Sequence, residues 1–136
     1  MLTQFVWTIM STELVTLRRD ESVKLAKDVS HLGRIGHLPV VEGETVVGIV
    51  SLQDVLEVSL TPLMHGEKVQ RIFLEGVSVE SVMSTPPTTI SPDASIQEAA
   101  QLMVEKRIGC LPVVEHGRLV GLVTETDILR IVAGLE

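Results

Sequence analysis

The stretch GHLPVVEGETVVGIVSLQDVL, Gly36 to Leu56, returns as GCLPVVEHGRLVGLVTETDIL, Gly109 to Leu129, with no gap in the alignment. The match extends outward: Met10 to Thr12 lies over Met83 to Thr85, and Asp20, Ser22 and Ala26 lie over Asp93, Ser95 and Ala99. About 20 identities over roughly 50 aligned positions mark an internal repeat rather than shared composition. In each copy LPVVE reads as a strand, GE or HG as a turn, and TVVGIVS or RLVGLVT as a second strand, which together make a hairpin. A helix is expected after Ser51 and after Thr124, with Leu56 in one copy and Leu129 and Val132 in the other on its buried side.

Upstream of each hairpin, LVTL or TTIS is a short extended stretch followed by a turn. Ser95 and Glu98 then form the S-x-x-E signature of a helix start. Ile96, Ala99, Ala100 and Met103 follow at the spacing of one apolar helix face, and Val23, Ala26 and Val29 do the same more weakly in the first copy. The order is β-α-β-β-α, twice. We therefore expect an α+β fold, with repeat 1 over 1–60, a connector over 61–79 and repeat 2 over 80–136. A unit of about 50 residues buries too little surface to be comfortable alone, so the two are expected to pack sheet to sheet with pseudo-twofold symmetry. Leu60, Leu63, Met64, Val69, Ile72 and Phe73 are too many apolar residues for a free linker. They and the start around Phe5 and Trp7 are expected to pack along the module or at a dimer contact.

Composition narrows the function. Hydrophobic residues make up 45% of the 136 and aromatics only 2%, so Val, Ile, Leu, Ala and Met must build the core. A formal charge of −7 argues against nucleic acid, whose binding begins with a basic face. No apolar run approaches the ~18 residues of a membrane span, and the single cysteine, Cys110, offers no disulfide framework. The expectation is a cytoplasmic protein with no membrane partner.

SLQD, Ser51 to Asp54, and TETD, Thr124 to Asp127, are the most informative short motifs. Each places a hydroxyl at a helix N-cap and a carboxylate three residues on. One reading is capping, the hydroxyl taking an amide and the Asp favouring the positive helix end. The other is a nucleotide site, with amides that attract phosphate and a carboxylate that accepts ribose hydroxyls. Both roles fit the same residues.

With MSTPPTTISPDASIQEAAQLMVEKRI before the second hairpin and IMSTELVTL before the first, the chain resembles a tandem pair of CBS domains, a Bateman module. The resemblance implies clefts between the repeats that bind adenine nucleotides or adenosyl compounds, dimerisation, and regulation of another protein. It implies ribose-binding roles for Asp54 and Asp127, and ribose or phosphate contacts for Ser51 and Thr124. Thr16 and Thr89 would line the adenine end, with Ile35, Pro39, Ile108 and Pro112 as the apolar wall beside the base. A basic residue before LPVV often serves phosphate-binding members; here that place holds His37 and Cys110. Arg34 and Arg107 sit just upstream. The first copy alone carries Arg18, Arg19, Lys24 and Lys27, and the second alone carries Glu125 within its TETD, so a phosphorylated ligand is expected to prefer the first copy.

Nothing in the chain reads as catalytic. The four histidines are scattered, and no H-E-x-x-H, C-x-x-C, Walker loop or G-x-S-x-G occurs. We expect a non-enzymatic regulatory module with no required cofactor and no metal. Its ligand would be AMP, ADP, ATP or S-adenosylmethionine, its target a separate and unidentified protein, and its state a homodimer. The alternative is a ligand-free dimerisation or scaffold module.

Overall fold

The computed structural model describes residues 4–135, so positions 1–3 and 136, the outer limits of the two repeats, lie outside the described residues. The fold is α+β, as expected: five helices and two small antiparallel sheets. The elements are α1 (Val23–Gly33), β1 (His37–Glu42), β2 (Thr45–Ser51), α2 (Leu52–Leu63), α3 (Glu67–Glu75), α4 (Ile96–Lys106), β3 (Cys110–Glu115), β4 (Arg118–Thr124) and α5 (Glu125–Val132). They sort into two compact units, one of residues 15–86 and one joining residues up to Leu14 with those from Pro87 onward.

Each unit is built on one hairpin. Glu42 pairs with Thr45 across Gly43 and Glu44, and Glu115 with Arg118 across His116 and Gly117. The turns take the positive φ that twisted hairpins require, at Gly43 (64°) in one and at His116 and Gly117 (52° and 78°) in the other. The early extended stretch joins the hairpin through a single parallel bridge, Leu17 to Val40 in one unit and Ile90 to Val113 in the other. Leu17 N–H donates to Pro39 O and Val41 N–H to Leu17 O. The next rung back would need an N–H from Pro39, or from Pro112 in the other unit. Proline has none, so the ladder stops there.

The helices follow their caps. Ser22 Oγ accepts from Leu25 N–H, and Ser95 with Glu98 forms a complete capping box. The apolar faces behind them bury Val23 and Ala26 in α1, and Ile96, Ala99 and Met103 in α4. After the second hairpin strand the phase differs from expectation. Leu56, Leu129 and Val132 stay exposed (51, 63 and 64%), whereas Val55 and Ile128 are buried. The cap sets this: Ser51 and Thr124 are N-caps, so the fourth helical residue turns inward. It joins the same core as Val50 or Val123 just before the cap, the arrangement of a hydrophobic staple.

Each core also takes in a short stretch from the margin of the other repeat. Val79, in a 3-10 turn at Val79–Ser81, is fully buried in the core of the unit holding α1 and α2. Its counterpart Val6, in the turn Val6–Thr8, is fully buried in the core of the unit holding α4 and α5. Phe5 and Trp7, expected to pack along the module or at a dimer contact, are about half exposed in the chain; Val6 between them is the residue that enters the core. The chain after each turn bridges to the outer hairpin strand, Ser84 to Ile49 and Ser11 to Leu122. That approach explains the glycine inside each second strand. A Cβ on Gly48 would lie 2.5 Å from Met83 Sδ and 3.0 Å from Ser84 O; one on Gly121 would lie 2.5 Å from Met10 Sδ and 3.1 Å from Ser11 O.

The connector is helical, and of the two expectations for its apolar residues, packing along the module is met within the chain by other residues. α3 docks through Gln70 and Leu74, both buried, while Val69, Ile72 and Phe73 remain exposed with Leu60, Leu63 and Met64. Gln70 Nε2 donates to Ser59 O (3.1 Å), and Lys27 Nζ donates to Gln70 Oε1 (2.8 Å), so the buried amide is satisfied at both ends.

Gly48→Ala and Gly121→Ala are each expected to lower stability by about 1–3 kcal/mol in urea unfolding, the cost of overpacking against backbone that cannot withdraw. Gly36→Ala, whose added methyl meets nothing within 4 Å, should change it by less than about 0.5 kcal/mol.

Candidate functional site

Both S/T-x-x-D motifs form complete reciprocal caps. Asp54 N–H donates to Ser51 Oγ (3.1 Å) and Ser51 N–H to Asp54 Oδ2 (2.8 Å). Asp127 N–H donates to Thr124 Oγ1 (3.3 Å) and Thr124 N–H to Asp127 Oδ2 (2.8 Å). The capping reading of the sequence is therefore correct. It engages Oδ2 of each carboxylate, which leaves Oδ1 as the oxygen with capacity to offer an outside donor. All four residues are half-buried.

The helix amides are less open than a phosphate site would want. The first amide of α2, Leu52 N–H, donates to Gly36 O (2.8 Å), and the first of α5, Glu125 N–H, to Gly109 O (3.0 Å). The third in each helix belongs to the cap. Gly36 and Gly109 were legible only as the first letters of the repeated phrase; they anchor the helix start to the loop before the hairpin. That loop leaves α1 or α4 through a left-handed residue, Arg34 (φ 53°) or Arg107 (φ 54°). An arginine there costs about 1–2 kcal/mol relative to the right-handed region.

Every candidate residue of the first repeat lies in the unit of residues 15–86, and every candidate of the second in the other. In the first, His37 stands opposite Ser51 and Pro39 opposite Ile49 across the hairpin. The bridge at Leu17 brings exposed Thr16 to the edge at Pro39, where the ladder breaks. Ile35 is half-buried and joins the margin of the core, and Pro39 is buried. In the second unit Cys110 stands opposite Thr124 and Pro112 opposite Leu122. Exposed Thr89 lies beside the Pro112 edge through the bridge at Ile90, and Ile108 is half-buried against its core. Each set gathers around one hairpin edge and one helix start.

Cys110 is 5% exposed. Burial, and then the charge of Asp127, pushes its thiol from the ordinary 9.0 up to about 12. It is neutral at any ordinary pH and is no nucleophile. Among the described residues no group of three or more His, Cys, Asp or Glu could hold a metal ion, and no helix is long and apolar enough to cross a membrane.

The family model for the CBS domain matches twice, over residues 6–61 and 79–134. The chain belongs to the CBS domain family. It is 34% identical over 139 aligned residues to the uncharacterized protein MJ1404 of Methanocaldococcus jannaschii, covering 96% of this chain and 32% of that protein. A CBS domain-containing protein of Dictyostelium discoideum is 32% identical over 126 residues, covering 89% of this chain and 86% of its own length. Among solved structures, the CBS domain pair of protein MJ0100 in complex with 5′-methylthioadenosine and S-adenosyl-L-methionine superposes with a TM-score of 0.80. It is 26% identical, over 97% of this chain and 98% of that one.

In the native protein Cys110 should resist iodoacetamide at pH 8 and be alkylated once urea unfolds the chain, as read by mass spectrometry. The folded state holds the thiol proton more tightly than the unfolded state. The associated stability is thus fully present below pH 9 and is lost as pH rises toward about 12. Cys110→Ala should remove that part of the pH dependence.

Proposed function

We propose that this chain is a non-enzymatic regulatory module that senses an adenine nucleotide or adenosyl compound, with repeats at 1–60 and 80–136 joined by 61–79. The observation that carries the reading is the pair of reciprocal caps, each holding an aspartate rigidly at a hairpin edge with Oδ1 uncommitted to the cap. In each unit that edge also presents a threonine and an apolar wall, Thr16 with Ile35 and Pro39, or Thr89 with Ile108 and Pro112. A carboxylate oxygen accepts from a ribose diol, the hydroxyl of Ser51 or Thr124 can accept or donate at the same end, and the half-buried isoleucine, with the buried proline nearby, suits a purine face. The likeness to a CBS pair bound to adenosyl compounds supports the same ligand class. Ligand binding would favour one arrangement of the module over another and so bias a partner protein, only as far as the ligand's affinity differs between the two.

The proposal extends to pairing with a second copy. Leu56 and Leu129 occupy matching positions in α2 and α5, and both are exposed beside further exposed residues, Leu60 and Leu63 or Val132. Apolar ridges of this kind on two helices want a cover.

AMP, ADP, ATP and S-adenosylmethionine tested in a thermal-shift series should include one that raises Tm by roughly 10 °C when present at 100 times its Kd. Asp54→Asn and Asp127→Asn each retain an acceptor for the cap amide, and each should remove the part of the shift due to its own site. Indifference to all four ligands would leave only the scaffold role. For the pairing, sedimentation velocity should find a dimer that Leu56→Glu with Leu129→Glu converts to monomer while the helical circular dichroism is kept.

A further inference from the structure

The two candidate sites differ at the first residue of their second helix. In the unit that carries α5 this residue is Glu125, and its carboxylate lies against the loop before the hairpin. A Cβ on Gly109 would meet Glu125 Oε1 at 3.0 Å and Cδ at 3.2 Å. With Glu125 N–H already bound to Gly109 O, both the backbone and the side chain of this residue fold onto the loop between Ile108 and Cys110. In the other unit the backbone bond is the same, Leu52 N–H to Gly36 O, but nothing lies within 4 Å of a Cβ on Gly36. The residue that follows differs in the same sense. It is half-buried His37 in one unit and buried, uncharged Cys110 in the other. The helix start that carries Asp127 thus also carries a second carboxylate, in a hollow it shares with Arg107, and Cys110 is near enough for the charge of Asp127 to act on its thiol; the matching residues in the other unit are Leu52, Arg34 and His37.

We infer that Glu125 sets the charge of the ligand in its unit: resting on the adenosyl-sensing reading, this site takes an adenosyl compound with an uncharged or cationic 5′ substituent, a thioether or a sulfonium, and turns away 5′-phosphates. A second carboxylate at the same helix start as the aspartate repels a phosphate and attracts a sulfonium, and because an arginine stands before the hairpin in both units, Arg34 and Arg107, the charge at 125 is what differs between them. No such bar stands at Leu52.

Isothermal titration of the whole chain with AMP, 5′-methylthioadenosine and S-adenosylmethionine tests this. Asp54→Asn isolates the second site, which should bind the thioether and the sulfonium at least tenfold more tightly than AMP. Adding Glu125→Gln, an exposed and nearly isosteric change, should tighten AMP at least tenfold and weaken S-adenosylmethionine. The neutral thioether should move by less than about threefold. In an Asp127→Asn background, Leu52→Glu should weaken AMP at the first site at least tenfold. If Glu125→Gln leaves the ratio of AMP to S-adenosylmethionine affinity unchanged, or if the Asp54→Asn protein binds no adenosyl compound while the unaltered chain does, the inference is overturned and the sensing reading stands. If the unaltered chain binds none of the three, both fall.

Discussion

The reciprocal hydrogen bonds between Ser51 and Asp54, and between Thr124 and Asp127, hold each unit in phase. They join the end of a hairpin strand to the start of a helix with no intervening loop, so the direction of every later helix residue is set by the cap. Val50 and Val55 thereby meet in one core and Val123 and Ile128 in the other, while Leu56 and Leu129 are turned to solvent. A shift of one residue at the cap would rotate the helix by about 100° and exchange the two faces. The same bonds fix the carboxylates. One side chain thus decides which surface is core, which is exposed ridge, and where an acceptor faces outward.

A second constraint is the contribution of matching stretches from the ends of the repeats. Val79 completes a core built from residues 17–74, and Val6 one built from residues 96–128. The second unit is therefore discontinuous in the chain, and its closure brings together segments some seventy residues apart. Loop-closure entropy rises only with the logarithm of that length, so the separation itself adds little beyond what a shorter loop would cost. What the arrangement demands is room. The incoming chain passes so close to the outer hairpin strand that only glycine fits at 48 and 121.

The hairpins, their turns and the capped starts at Ser51, Ser95 and Thr124 were legible because each depends on neighbours in the sequence; the cap at Ser22, with no acidic residue at the third helical position, was not read. The phase of α2 and α5 was misread for a specific reason: residues 55 and 56, like 128 and 129, are both large and apolar, so periodicity favours neither. The cap four residues before 55 and 128 does decide, since the fourth helical residue pairs with the one before the cap. The origin of the buried valines was not legible. Met10-Ser11-Thr12 and Met83-Ser84-Thr85 are identical, so either stretch suits either core, and no local pattern says which it joins. In the connector, Leu74 docks α3 together with a glutamine, whose burial depends on an acceptor at Ser59 and a donor at Lys27, distant in sequence, so a tally of apolar residues could not point to it.

For the candidate site, the two reciprocal caps were legible in S/T-x-x-D, and the division of each carboxylate between its two oxygens was not. Capping and ligand binding are compatible readings of one aspartate, because a carboxylate has two oxygens and the cap takes one. The cap is formed by the chain's own residues, so the fold holds that carboxylate in place without a ligand. What a duplicated unit adds is freedom around that group. The cap pair and the valines behind it cannot change without loss of the core. Residues 52 and 125 are tied to the loop in front of them through their backbone amides and keep exposed side chains, and residues 37 and 110 stand at the strand start, where an imidazole and a thiol are both accommodated. Two copies of one scaffold thus keep the same capped carboxylate while differing in charge at the residues around it, Leu52 and His37 in one and Glu125 and Cys110 in the other.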